Sequence, residues 1–295
     1  MTVFQTPGPI SVSLEFGVGD LRLVASDSTE TVVEVRPTDP SKDGDVSAAQ
    51  QTRVEYASGS LLVRGPKSWR QWAPWGPRGG RESIDVEIQL PEGSRVSADV
   101  AVAAVRGSGR FGELELKTGL GDVRIDEAGP VKIRTGYGEV RVGRADGDAD
   151  VKTGSGRIDI GSVGGSAIVK NSNGDTRIGE VEGRAQLQNA NGAIQVDSAH
   201  SHVTAKTALG DVRLGLISHG ATEAKTACGQ IDIGVLDGVA AWLDVSTGFG
   251  RVNNELEDTG RPPTEEQTTE IRAHTAAGDI TIRRVAARAD LETRS

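Results

Sequence analysis

The chain has 295 residues and a net charge of −9, with 33 Lys and Arg against 42 Asp and Glu. This acidic balance argues against general nucleic-acid binding, which relies on basic patches. The single cysteine excludes an intrachain disulfide and any multi-cysteine metal site, and with only 3% aromatic residues the core must consist of Val, Ile, Leu and Ala.

The N-terminal residues 1–5 have neither a basic stretch nor an apolar one, so we expect no signal peptide. No run of about 18 apolar residues occurs, so no membrane-spanning helix is expected. Together these features predict a cytoplasmic location.

Residues 1–100 predict short strands separated by turn residues. Residues 15–23 match a signature that recurs later in the chain, and 37–51 are predicted to form a polar loop. Further strand-like runs lie at 31–35, 52–56, 60–64, 84–90 and 95–102. We expect 1–100 to be a β-rich region that caps a stack of repeats or forms its own sheet layer.

The segment 67–81 holds three of the four tryptophans and four cations without an anion. Its Pro and Gly content favours a loop. The indoles could fold back over one end of the stack, form an exposed anchor for an anionic membrane or a protein partner, or stack on nucleic acid. The residues that would form the anchor are Trp69, Arg70, Trp72, Trp75, Arg78 and Arg81.

From residue 117 onward one signature recurs: a Thr-like residue, a small one, a variable one, Gly, a polar one, then apolar–polar–apolar. The second glycine lies at 121, 138, 156, 174, 192, 210, 229, 250 and 278. A spacing near 18 followed by drift predicts a stack of about nine rungs with late insertions. The largest insertion, 255–269, is rich in Glu, Thr and Pro and is predicted to be an exposed loop.

Each rung supplies two short strands whose side chains alternate in and out. One rung cannot bury its apolar face alone, whereas stacked neighbours form a continuous core. We therefore predict an all-β fold: a β-solenoid, which is a single-stranded, β-helix-like stack of rungs over 101–285. The less regular β-rich region 1–100 precedes it, and a tail, 286–295, follows.

A polar column is predicted inside the stack, where neighbouring side chains would hydrogen-bond to one another along the axis. Its members are Thr118, Thr135, Thr153, Asn171, Asn189, Thr207, Thr226, Thr247 and Thr275. The glycine column marks turns where φ is positive or where the neighbouring backbone leaves no room for a Cβ.

The Thr-Gly-x-Gly-Asp-Val-x-Val repeats resemble a bacterial β-strand-repeat family that carries an adhesin label and is also called the toast-rack family. The runs 83–94 and 276–284 resemble its actinobacterial members. The resemblance covers most of the chain and implies the repeat fold. It also implies an adhesin-like role, or a link to envelope-stress sensing as in some relatives.

No constellation of catalytic residues is evident, and we expect no enzyme activity, cofactor or metal. The residue after each second glycine is often Asp, but Arg157, Ala193 and Gln230 interrupt that column, which favours a solvated face over a calcium site. His200 and His202 lack a nearby Cys or third His, and Cys228 occupies a turn position without an evident base.

The outward columns mix signs, which argues against the clustered carboxylates of a carbohydrate-acting enzyme. We therefore predict an interaction scaffold that binds a protein partner or itself, without a nucleic-acid partner or a small-molecule substrate. The alternative is a membrane-peripheral envelope-stress component that docks through the Trp and Arg segment.

Overall fold

The computed structural model describes residues 1–66, 82–256 and 268–286. The chain divides into two compact units, Met1–Ile160 and Gly161–Ser295. Both consist almost entirely of short strands, as the rung pattern predicts, because apolar and polar residues alternate. In Val131–Tyr137, for example, Val131, Ile133 and Thr135 are buried while Lys132 is exposed.

The described residues of the first unit contain one helix, α1 (Asp43–Gln51), and fourteen strands lie wholly within this part of the chain. These strands are β1 (Thr2–Gln5), β2 (Ser11–Val18), β3 (Leu21–Ser26), β4 (Glu30–Pro37), β5 (Arg53–Ala57), β6 (Ser60–Arg64), β7 (Ile84–Pro91), β8 (Arg95–Val102), β9 (Val105–Phe111), β10 (Leu114–Leu120), β11 (Val123–Ala128), β12 (Val131–Tyr137), β13 (Val140–Ala145) and β14 (Ala149–Ser155).

The remaining strands begin with β15 (Ile158–Val163), which includes the boundary between the units. Those after it are β16 (Ala167–Asn173), β17 (Thr176–Val181), β18 (Ala185–Asn191), β19 (Ile194–Ala199), β20 (Val203–Lys206), β21 (Val212–Ile217), β22 (Gly220–Cys228), β23 (Ile231–Leu236), β24 (Ala240–Phe249), β25 (Val252–Glu255), β26 (Thr268–Ala277) and β27 (Ile280–Val285).

Two sheets run through the first unit, one in the order β1-β4-β7-β3-β9-β11-β13 and the other in the order β5-β6-β2-β8-β10-β12-β14. Most neighbours are parallel, as a solenoid requires. Antiparallel pairs occur only at the N-terminal end of the described strands, between β1 and β4, β4 and β7, and β5 and β6. The rung β2–β3 lies inside this end, between β6–β7 and β8–β9.

The helix α1 lies where we expected only a polar loop. Its sequence shows no apolar stripe, so periodicity gave no helical signal. The fold supplies the missing interactions: Ala48 is buried, and the buried Asp45 carboxylate accepts the N–H groups of Asp39 at 3.2 Å and Ser83 at 2.9 Å.

In the second unit, parallel strands follow the orders β17-β19-β21-β23-β27-β25 and β16-β18-β20-β22-β26-β24. Chain order is not kept at the end of this unit. The last rung, β26–β27, lies between β22–β23 and β24–β25, pairing with both. Our expectation that successive copies stack one on the next is therefore wrong for the final two rungs.

The hydrophobic core is aliphatic, as the composition predicts: Val, Ile, Leu and Ala fill most buried positions, and Phe16 and Phe111 are the buried aromatics among the described residues. The other buried side chains are mainly polar, and most of these are Thr. Burying each Val or Ile side chain contributes about 1.5–3 kcal/mol. The predicted fold class, an all-β solenoid of short repeated rungs, is confirmed.

Candidate functional site

The polar column lies inside each unit, beside the glycine turns, and its members are largely buried. Members in register on neighbouring strands are Thr118, Thr135 and Thr153 in the first unit, and the pair Asn171 and Asn189 and the row Thr226, Thr275 and Thr247 in the second. Thr207 lies just after β20 and is buried in the same way.

In the second unit, the threonine hydroxyl groups of this column bond to turn carbonyls. Thr226 Oγ1 donates to the Gly210 carbonyl at 2.9 Å, and Thr275 Oγ1 donates to the Gly229 carbonyl at 3.1 Å. We expected these side chains to hydrogen-bond to one another along the axis. That expectation is wrong for these threonines, because their hydroxyl groups bond to backbone carbonyls instead. Neighbouring strands lie about 4.8 Å apart, so equivalent hydroxyls on adjacent rungs are too distant to bond, whereas the turn carbonyl is within reach.

The column gives a matched pair of substitutions. Thr226→Val removes a buried hydrogen bond and leaves a turn carbonyl unpaired, so we expect it to lower the free energy of unfolding by about 1–2 kcal/mol. Thr135 Oγ1 is buried without a hydrogen-bond partner among the described residues, so Thr135→Val should leave stability unchanged or raise it. Thermal and urea melts measure both; equal losses would contradict this assignment.

The aspartates after the turn glycines connect successive rungs. Asp122 Oδ1 accepts the Glu139 N–H at 2.8 Å, and Asp211 Oδ1 accepts the Gln230 N–H at 2.8 Å. Asp279 does the same for the Arg251 N–H. The recurring Gly-Asp therefore has a structural role that we did not predict. The Asp carboxylate and the backbone N–H that it accepts lie in different rungs, so a single repeat does not reveal the bond.

His200 lies beside two carboxylates of the preceding rung. Its Nε2 is 3.0 Å from Glu180 Oε1, and ligand atoms of Glu180, Glu182 and His200 lie within 4.8 Å of one another. These carboxylates were not predicted as neighbours of His200, because they are about twenty residues away in the sequence. The group forms an ion pair when His200 is protonated. His202 has a different role, because its Nδ1 accepts the Ala221 N–H at 2.8 Å.

A polar depression of about 240 Å³ lies on the outer face of β18, β20, β22 and β26, where Arg184, His202 and Glu270 contribute to its lining. Glu223, also in the lining, bonds to Lys225 at 2.6 Å and Lys206 at 2.9 Å. These two ammonium groups hold the pKa of the Glu223 carboxyl below its ordinary value. Ligand pockets are usually larger and mostly apolar, so this depression has the character of a salt-bridged surface.

Exposed apolar side chains follow one turn of the first unit. Val102, Leu120 and Tyr137 are in register on β8, β10 and β12, with exposures of 37%, 49% and 64%. We call these three residues the turn ridge. Leu120 and Tyr137 are each flanked by glycines, so they project from bare backbone. The sequence shows the variable turn position but not the alignment of its apolar members.

The same turn position in the second unit carries Leu209, Cys228 and Phe249, all exposed. Cys228 is the last residue of β22 and directly precedes the turn glycine Gly229. The predicted anchor, Trp69, Arg70, Trp72, Trp75, Arg78 and Arg81, lies outside the described residues and stays a prediction. Most of the tail 286–295 also lies outside them.

No helix in the described part of the chain is long and apolar enough to cross a membrane.

These features define the class of protein: an all-β parallel solenoid with aliphatic rungs, glycine turns and an exposed apolar ridge. The chain belongs to the Toastrack DUF4097 family, whose model matches residues 13–283. No curated protein sequence matches it significantly.

Three of the solved structures that match this chain come from bacteria. A candidate adhesin from Bacteroides fragilis is 13% identical, with 96% of this chain and 95% of that chain covered and a TM-score of 0.37. A candidate cell-adhesion protein from Clostridium sporogenes is 12% identical, with 96% and 98% covered and a TM-score of 0.27. A candidate adhesin from Parabacteroides merdae is 11% identical, with 96% and 95% covered and a TM-score of 0.33.

Proposed function

We propose that this chain is a non-enzymatic β-repeat interaction module that binds a protein partner through the turn ridge. The observation that carries the proposal is the alignment of Val102, Leu120 and Tyr137, three exposed apolar side chains in register on neighbouring strands. Aligned, exposed apolar residues mark interaction sites, and tyrosine is enriched at interface hot spots.

The rigidity of the turn supports this role. Gly119 and Gly136, which precede Leu120 and Tyr137, each approach the carbonyl of the adjacent rung so closely that a Cβ would lie 2.7 Å and 2.5 Å from it. The turn backbones are thus held in close contact, which fixes the positions from which the ridge side chains project. A preorganised surface loses less entropy on binding.

The experiment is affinity capture of partners from cell extract, using the full chain and a Leu120→Ser/Tyr137→Ser variant. A control variant, Glu115→Ser/Lys132→Ser, alters the same two strands on the sheet face, where these side chains form an exposed ion pair at 2.6 Å. We expect a specific partner to be retained by the wild type and the control but lost by the ridge variant. Equal capture by all three proteins, or no specific partner, would contradict the proposal.

A further inference from the structure

Among the described residues, the second unit ends on the rung β24–β25, with no further strand beyond it. β24 and β25 are the outermost strands of their sheets, and their outer edges pair with no strand in the described part of the chain. On β24, Leu243, Val245 and Thr247 point toward the core but are only half-buried. Their counterparts on β26, Ile271, Ala273 and Thr275, are buried. A long edge strand of this kind is a template for pairing with another strand.

The N-terminal end of the first unit shows how this protein closes a stack. There the outermost strands, β1 and β5, run antiparallel to their neighbours. Phe4 on β1 and Tyr56 on β5 bring their rings within 5.1 Å, joining the two sheet edges. The described residues of the rung β24–β25 show no equivalent contact, and Trp242 and Phe249 there are 61% and 82% exposed.

The segments that directly follow β25 and β27 in the sequence contain few large apolar residues. Residues 257–267 contain no apolar residue other than Gly and Pro, and Leu291 is the one large apolar residue of 287–295. A second copy of the chain, by contrast, brings a strand with the same half-buried apolar face.

The sequence of β24 is complementary to itself in the antiparallel register centred on Val245. With Val245 opposite Val245 of a second copy, Leu243 faces Thr247 and Asp244 faces Ser246, so apolar residues meet on the inner side. Trp242 then lies opposite Gly248, where an aromatic ring covers the bare glycine backbone. A register centred on Asp244 would instead place two carboxylates directly opposite each other, which is destabilising.

We propose that two copies of this chain associate through β24, paired antiparallel about a two-fold axis at Val245. The interface is isologous, with the same strand on both sides, and it extends one sheet of each copy into the other. It uses a surface other than the turn ridge, so the two proposals fail independently.

Charge substitutions at Ser246 test both the interface and its register. Ser246 is exposed and bonds to His274 Nδ1 at 2.8 Å, so a charged side chain there leaves the core intact. Ser246→Asp places a carboxylate directly opposite Asp244 of the other copy, twice in the dimer, and should weaken the dimer by about tenfold or more. Ser246→Lys should tighten the dimer, because the introduced ammonium group then faces Asp244 of the other copy. The double variant Asp244→Lys/Ser246→Asp should restore association, because it exchanges the two charges of this pair.

The measurement is sedimentation equilibrium of the full chain over a series of concentrations at low and high salt. Gln188→Asp is the matched control, because it lies in the same outward column on the interior strand β18 and should leave the dimer unchanged. Thermal melts verify that each variant is folded. A wild type that stays monomeric at every concentration, or Asp and Lys at 246 acting in the same direction, would overturn the proposal. Partner capture by Ser246→Asp should be normal.

Discussion

Replacing Gly156 with valine will destabilise the protein by about 3–5 kcal/mol, since it combines backbone strain with a steric overlap. Gly156 has a φ of +145°, and a Cβ there would lie 1.9 Å from the Gly138 carbonyl oxygen. That carbonyl belongs to the neighbouring turn and cannot withdraw without moving the whole column. Thermal denaturation should show a fall in Tm of about 10 °C or more.

Two controls separate the causes of this loss. Arg157→Ala changes an exposed neighbour and should stay within about 0.5 kcal/mol of the wild type. Gly238 also has a positive φ, +83°, but no atom lies within 4 Å of its virtual Cβ, so Gly238→Ala should cost only about 1–2 kcal/mol. If Gly156→Ala proves as mild as Gly238→Ala, the close turn-to-turn contact cannot be the reason for the glycine column.

Ile280→Asp will destabilise the C-terminal rungs by more than about 4 kcal/mol, whereas Val252→Asp will cost about 1 kcal/mol or less. The two residues are register partners in the same column. Ile280 is fully buried on β27, because that strand lies between β23 and β25, while Val252 on the outermost β25 is 44% exposed. An aspartate at 280 is therefore an unpaired charge in the core.

This comparison also tests the order of the rungs. A stack in chain order would place β25 inside and β27 at the end, and the ranking of the two substitutions would be reversed. Amide hydrogen exchange should show the strongest protection loss in β23 and β27 for Ile280→Asp, and near wild-type protection there for Val252→Asp. Chemical denaturation measures the loss of stability in each variant.

The sequence predicts the rungs well because each carries its own signature: alternating apolar residues and a glycine that only a tight turn requires. Strands such as Ser60–Arg64 and Arg95–Val102 occur where alternation places them. The order of the last two rungs could not be read in the same way. β24 and β26 present similar inward faces, so local pattern does not specify which of them lies next to β22.

The site features that we missed share one cause, which is that they join residues of different rungs. Glu180 approaches His200 only because the stack brings consecutive rungs into register. Likewise, Asp122 bonds to the backbone of Glu139 in the next rung, and Leu120 lies beside Tyr137. The sequence of a single repeat shows where its turn lies. It does not show which residues of the neighbouring rung that turn will contact.

The inserted last rung has a consequence for biosynthesis. A solenoid whose copies stack in order can add each one as it leaves the ribosome. Here β24–β25 emerges before β26–β27 but packs directly against that later rung. The earlier segment must therefore wait, its apolar side unprotected, until the later one is released. Completion of this end is a late event between distant parts of the chain, and chaperone binding or misassembly during synthesis will concentrate there.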